Sequence, residues 1–275
     1  MKYIDIAREN TLIIEKGSYT VQGVEISLGS HDSLRKAALC TPEYTQESVD
    51  LALSAIEQAG DTIAAVEVNA MDTFGALRAL PAYRTVALNF ANAYHPGGGY
   101  LEGSPAQEES LCRCSTLYAS LCGSDAAPLY AYNHAHRTPE GSDYVLLSPE
   151  VTVFREVPDL ELIPAPYKAS VISYAAPNLY GEAHALSGEA LEHIFRRKIR
   201  NVFAVAWRYG YDAIVLGAWG CGAFGNDAED VARLYHDVIH REGFGTLFKK
   251  IVFAVYSPSA ASPSYNYRCF SECFR

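Results

Sequence analysis

Hydrophobic and polar positions alternate between two regimes along this chain. Short, continuously apolar runs at 62–68, 85–90, 170–175, 213–218 and 251–256 read as strands of a sheet covered on both faces. Between them lie segments with apolar residues at helical spacing. In 47–59 these are Val49, Leu51, Leu53 and Ile56, with Gly60 as the stop. A helix over 73–80 ends at Pro81, and one over 105–121 carries Leu111, Cys114, Leu117, Tyr118 and Leu121 on a broad apolar face before Cys122-Gly123. Residues 187–208 and 227–241 predict two more helices, the second capped by Asn226 or Asp227. Residues 144–147 and 151–157 read as a hairpin about Ser148-Pro149. Strands alternating with helices predict a layered α/β fold around a central sheet. The chain shows no repeat and no linker, so its 275 residues are expected to form one domain. Within it, residues 1–60 read as an N-terminal accessory extension with a helix, and 61–275 as the core.

Charge and composition narrow the function. A net charge of −10 argues against a general nucleic-acid binder. It leaves room for an anionic substrate held by backbone N–H groups. No apolar run reaches membrane-spanning length and the first residues lack a signal-peptide core, so an intracellular, cytoplasmic protein is expected. The seven cysteines are scattered without zinc-ribbon spacing and are expected to be reduced and structural. His236 and His240 share a helical face, but no glutamate adjoins them as in H-E-x-x-H, and no metal site is expected. There is no G-x-S-x-G nucleophile elbow.

The most informative stretch is 89–109. The strand at 85–90 runs into Asn92, His95-Pro96 and Gly97-Gly98-Gly99, then into Ser104-Pro105-Ala106-Gln107-Glu108-Glu109. Three successive glycines cost backbone entropy, and close approach of N–H groups to a diphosphate is one reason for them. Ser104, Pro105 and Gln107 fit a capping box, with Ser104 as N-cap. Glu108 and Glu109 then face the glycine loop. A second loop, Gly220-Cys221-Gly222-Ala223-Phe224-Gly225, follows the strand at 213–218. It spells G-x-G-x-x-G and aims N–H groups at a phosphate. Read alone it also fits a nicotinamide-dinucleotide oxidoreductase, with Glu242 at the ribose-binding offset.

Gly97-Gly98-Gly99, seven residues, then Gln107-Glu108-Glu109 resembles the signature of poly(ADP-ribose) glycohydrolases. Asn89-Phe90-Ala91-Asn92, His95-Pro96 and the turn at Gly17-Ser18-Tyr19 resemble the microbial type. The resemblance implies a macrodomain-like three-layer α/β/α sandwich with a central mixed sheet. It implies release of ADP-ribose from poly(ADP-ribose) on modified proteins, without metal or redox cofactor. Gly97, Gly98, Gly99 and, in the second loop, Gly222, Ala223 and Phe224 would clasp the diphosphate, with Gly220, Cys221 and Gly225 in the same binding set. Phe224 would pack on the distal ribose, Asn89 or Asn92 would hydrogen-bond it, and Gln107 would belong to the same binding set. Tyr256 would stack on adenine, with Glu67, Asn69 and Asp72 near its edge. Glu109 would be the general acid and base, and Glu108 would hold hydroxyls of the leaving ribose. Adjacent helical glutamates diverge by about 100°, so the opposed carboxylate pair of ordinary glycosidases is absent. A single acid must protonate the leaving oxygen and later activate water, which calls for a carboxyl raised by burial and bound diphosphate. The same pocket suits ADP-ribose on a protein side chain or on thymidine in DNA, or a non-catalytic ADP-ribose reader.

Overall fold

The computed structural model describes residues 2–259 and 261–275. The chain opens with helix α1 (Tyr3–Lys16), the hairpin β1 (Ser18–Val21) and β2 (Val24–Ser27), a short helix α2 (His31–Leu34), strand β3 (Ala38–Cys40) and helix α3 (Pro42–Gln58). Then come β4 (Ala65–Asn69), α4 (Thr73–Arg78), β5 (Thr85–Phe90), α5 (Gln107–Cys114), α6 (Leu117–Leu121) and α7 (Ala127–Ala135). The second half holds β6 (Val145–Glu156), β7 (Glu161–Tyr174), α8 (Gly188–Arg208), β8 (Ala213–Leu216), α9 (Ala228–His236), β9 (Lys250–Ala254) and α10 (Tyr265–Cys273).

Seven strands form one mixed sheet in the order β3-β6-β7-β5-β8-β9-β4. From β7 to β4 every neighbouring pair is parallel, whereas β6 is antiparallel to both β3 and β7. Strand pleating sends alternate side chains to opposite faces. Val86, Leu88, Ile214, Leu216, Ile251 and Phe253 face α3, α8, α9 and α10, while Ala87, Val171, Val215 and Val252 face α1 and α4–α7. Both faces are therefore buried, as the unbroken apolar runs require. The parallel arrangement brings the loops after β4, β9, β8, β5 and β7 to one edge, where an open α/β sheet holds its ligand.

Residues 2–60 pack as part of this body. β3 pairs with β6, and Val49 and Ala52 of α3 enter the core cluster that also holds Phe195 and Ile199 of α8. Thr41 caps α3 by accepting from the Tyr44 amide, with Pro42 in the first turn. α1 braces the middle of the chain: Asn10, fully buried, donates to the Arg113 carbonyl at 2.8 Å and accepts from Arg155 Nε at 2.8 Å.

Three sequence expectations change. The two expected strands are one, β6 (Val145–Glu156), in a longer hairpin, because β7 pairs with β6 from Leu146 through Glu156. Pro149, which has no N–H to give a ladder, falls at the register shift between Ser148 and Val151. The helix expected over 105–121 is two helices. Ser115 turns extended and bridges Val153, and the Thr116 amide donates to the Thr152 carbonyl at 3.0 Å. The helix expected over 227–241 is α9 followed by a wider π turn over Asp237–Arg241. Asp227 does cap α9, accepting from the Glu229 and Asp230 amides. The Ser/Pro-rich tail concealed α10, whose buried Phe270 packs on Phe253 and Tyr235. No helix among the described residues is long and apolar enough to cross a membrane.

Candidate active site

The two glutamates are set by the strand in front of them. The Gln107 side chain accepts from the Phe90 amide at 2.9 Å and donates to the Leu88 carbonyl and Thr73 Oγ1, both at 3.0 Å. This clamps the start of α5 to the ends of β5 and α4. It also displaces the expected capping box: α5 begins at Gln107 with Ala106 as an N-cap that makes no side-chain bond.

Glu108 and Glu109 are both buried beneath the glycine loop. Glu108 accepts from Asn89 Nδ2 at 3.1 Å and from the Asn92 amide at 2.8 Å. Burial pushes its carboxyl up to about 8, against those two hydrogen bonds, with the Glu109 charge adding to the rise. Glu109 Oε1 accepts from the Gly99 amide at 2.9 Å, while Oε2 is buried with no hydrogen-bond partner.

This geometry gives the triple glycine a reason other than the expected one. Gly97 and Gly98 have φ of +70° and +56°, in the left-handed region. A Cβ on Gly98 would lie 2.5 Å from Glu109 Oε1 and 3.1 Å from Glu108 Oε2. The Gly98 amide donates to the His95 carbonyl and the Gly99 amide to Glu109. These two N–H groups therefore serve the loop and the carboxylate, whereas the second loop keeps amides open toward the cleft. The amides of Gly222, Ala223 and Phe224 meet no protein acceptor among the described residues.

A cleft of about 460 Å³ runs along this edge of the sheet. It brings together Glu108, Glu109, Gly98, Asn92 and Gln107 from the first segment, Gly220, Gly222, Ala223 and Phe224 from the second, and Tyr256 beyond β9. Tyr256 is 58% exposed, so its ring is available for stacking. Asn92 Oδ1 accepts from the Tyr94 and His95 amides, which holds the loop in a tight turn.

A family model, microbial-type PARG, catalytic domain, matches residues 7–156. A poly(ADP-ribose) glycohydrolase (PARG) crystal structure from Thermomonospora curvata is 34% identical, with a TM-score of 0.88 and 99% of each chain covered. The chain belongs to the microbial-type poly(ADP-ribose) glycohydrolase family. The same protein bound to the inhibitor ADP-HPD is 33% identical with a TM-score of 0.85, covering 98% of each chain. The enzyme of Deinococcus radiodurans in complex with ADP-ribose is 34% identical with a TM-score of 0.76, covering 87% of this chain and 94% of that one. No curated protein matches. The fold and activity implied by the sequence stand on this likeness: a macrodomain-like α/β sandwich and a glycosidase, poly(ADP-ribose) glycohydrolase.

Within this family frame, several expected residues sit elsewhere than in the cleft. Asn89 is fully buried, and both its amide hydrogens go to Glu108 and Ser173. It therefore has no amide hydrogen left to offer the cleft. Gln107 lines the cleft, but its amide is taken up by Phe90, Leu88 and Thr73, so it positions the neighbouring glutamates. Cys221 turns inward with its Sγ toward the Trp219 carbonyl, and burial pushes its thiol up. A Cβ on Gly225 would meet the Tyr180 ring at 2.9 Å, and the glycine lets that ring lie over the loop. Glu67 is paired with Lys250 and Asn69, away from the cleft. Asp72 does line the cleft, and its Oδ1 caps α4 by accepting from the Gly75 amide. Glu242 forms ion pairs with Arg196 and Arg200, which removes the dinucleotide-ribose reading.

Sequence reasoning missed three supports of the site. Ser173 holds Asn89 at 2.9 Å. Asn226, buried, donates to the Pro177 and Gly220 carbonyls and fixes the second loop. Arg113, one turn after Glu109 and 2% exposed, donates to the Ser104 carbonyl and lies over the Tyr3 ring. An unusual arginine on the buried face of α5 was the one available signal. Among the described residues no group of three His, Cys, Asp or Glu side chains could hold a metal ion.

Proposed function

We propose that the chain releases ADP-ribose from the ends of poly(ADP-ribose) on modified proteins, with Glu109 as general acid and base. The observation that carries this is the asymmetry of its carboxyl group. One oxygen is tied to the Gly99 amide and the other is buried and unpartnered, on a residue that lines the cleft. That second oxygen is the one able to carry a proton to the substrate.

The diphosphate lies on the free amides of Gly222, Ala223 and Phe224, with adenine toward Tyr256. Phe224 packs against the distal ribose. The proton moves from Glu109 to the bridging oxygen as the C1–O bond breaks, and the leaving ribose departs as its hydroxyl. Water adds to the oxocarbenium-like carbon and gives its proton to Glu109, which restores the acid. Glu108, kept protonated by burial, has an O–H to offer a ribose hydroxyl.

The test is the initial rate of ADP-ribose release from poly(ADP-ribosyl)ated protein by the chain and its Glu109→Gln variant. A loss of at least ~100-fold is expected. A variant within tenfold of the parent overturns the role of Glu109. Thymidine-linked ADP-ribose in DNA serves as the second substrate, and faster release from it than from the polymer overturns the leaving-group assignment.

A further inference from the structure

Tyr94 and His95 lie between Asn92, whose amide holds Glu108, and Gly99, whose amide holds Glu109. His134 and Arg137, at the end of α7, pack against them. His134 Nε2 is 3.1 Å from the Tyr94 carbonyl, and its Nδ1 is 3.2 Å from an Arg137 nitrogen. The Tyr94 and His134 rings are 5.5 Å apart, the His95 and His134 rings 5.9 Å, and the Arg137 guanidinium lies 4.5 Å over Tyr94. Glu182 holds Arg137 at 3.3 Å, and Asn133 pins α7 to the loop by donating to the Ala93 carbonyl at 2.7 Å. The result is a fixed surface of flat, partly cationic groups on a chain of net charge −10. His95, His134 and Arg137 are exposed.

The strand order decides what this surface meets. Tyr256 and Asp72 follow β9 and β4, on one side of β5. At about 4.8 Å per strand they stand roughly 10–15 Å from the β5 loop, a length an ADP-ribose laid lengthwise can span. The Tyr94–Arg137 cluster lies on the other side, toward β7. A narrow cavity of about 70 Å³ continues the cleft in that direction, sharing Asn92 and Phe224 with it and walled by Tyr94 and Glu182. With ADP-ribose bound toward Tyr256 and its distal ribose at Glu109, the group across the cleaved bond must leave on the β7 side.

We propose that Tyr94, His95, His134 and Arg137 dock that departing unit. Its chemistry is that of a nucleoside diphosphate: a base to stack on the flat groups and phosphates to meet Arg137 and the histidines. The assignment rests on the orientation proposed above. It makes this surface the source of preference for a polymer over a single ADP-ribose on a side chain.

The test uses the Glu109→Gln chain, which keeps a bound oligomer intact, and measures equilibrium binding of ADP-ribose and of its two-unit oligomer. The oligomer is expected to bind at least about tenfold more tightly, the effect of one stacked base. Adding Arg137→Ala and His134→Ala is expected to abolish that advantage while the affinity for ADP-ribose stays within about twofold. Retention of the advantage overturns the proposal. So does a parallel fall in ADP-ribose affinity, which would make the cluster a support of the cleft. If the chain binds no ADP-ribose at all, the reading of the cleft itself fails, and this surface with it.

Discussion

Replacing Gly98 by alanine tests the geometry at its tightest point. Two costs arise. The residue holds φ of +56°, where a side chain is strained by about 1–2 kcal/mol. The added methyl would also lie 2.5 Å from Glu109 Oε1 and 3.1 Å from Glu108 Oε2, against ordinary contacts of 3.4–4 Å. The loop and the carboxylates must then move apart by roughly 1 Å, a displacement that costs a catalytic group about 100-fold in rate. Backbone strain alone would lower the melting temperature by roughly 2–8 °C. Gly98→Ala is therefore expected to be a folded protein with kcat about 100-fold down. Initial rates of ADP-ribose release, paired with thermal melts by circular dichroism, measure both quantities. A folded variant with kcat within twofold of the parent refutes the argument that this glycine exists to let the loop meet the two glutamates.

Two further predictions concern the same pair of elements. Burial raises Glu108 from an ordinary 4.5 to about 8, so between those values the folded chain holds a proton that the unfolded chain releases. Its contribution to stability is therefore lost as pH rises from 4.5 to 8. Denaturant unfolding at a series of pH values should show this fall in the parent and a flatter curve in Glu108→Gln; parallel curves would refute it. Gln107→Ala removes three hydrogen bonds and leaves the Phe90 amide without its acceptor. It is expected to cost about 2–3 kcal/mol, which calorimetry would read as a drop of roughly 4–12 °C; an unchanged melting temperature would show that the clamp is dispensable.

Much of the candidate site was legible in the chain because it is local. Gly97 to Glu109 is one contiguous stretch, and the apolar run before it ends at a sheet edge wherever the sheet is placed. The second loop announces itself in the same way, by glycines between a strand and a helix. What could not be read was which polar groups use up which others. Asn89 and Gln107 look like ligand-binding side chains in a sequence, since both carry free amides. Folding places Asn89 under Glu108 and Gln107 across the end of β5, and no spacing rule reports that.

The sequence by itself determined the class of fold, the two loops and the pair of glutamates. Hydrophobic periodicity and glycine placement act over a few residues, and both survive in the unaligned chain. Tertiary structure decided the rest. The strand order β7-β5-β8-β9-β4 set Tyr256, after β9, on one side of β5 and Glu182, which follows β7 and holds Arg137, on the other. Pairing with β6 broke the helix after Glu109 at Ser115, although its apolar face runs on to Leu121. Close packing of the glycine loop on Glu109 left one oxygen bonded and one free, a distinction between two chemically identical atoms that only their three-dimensional surroundings can make.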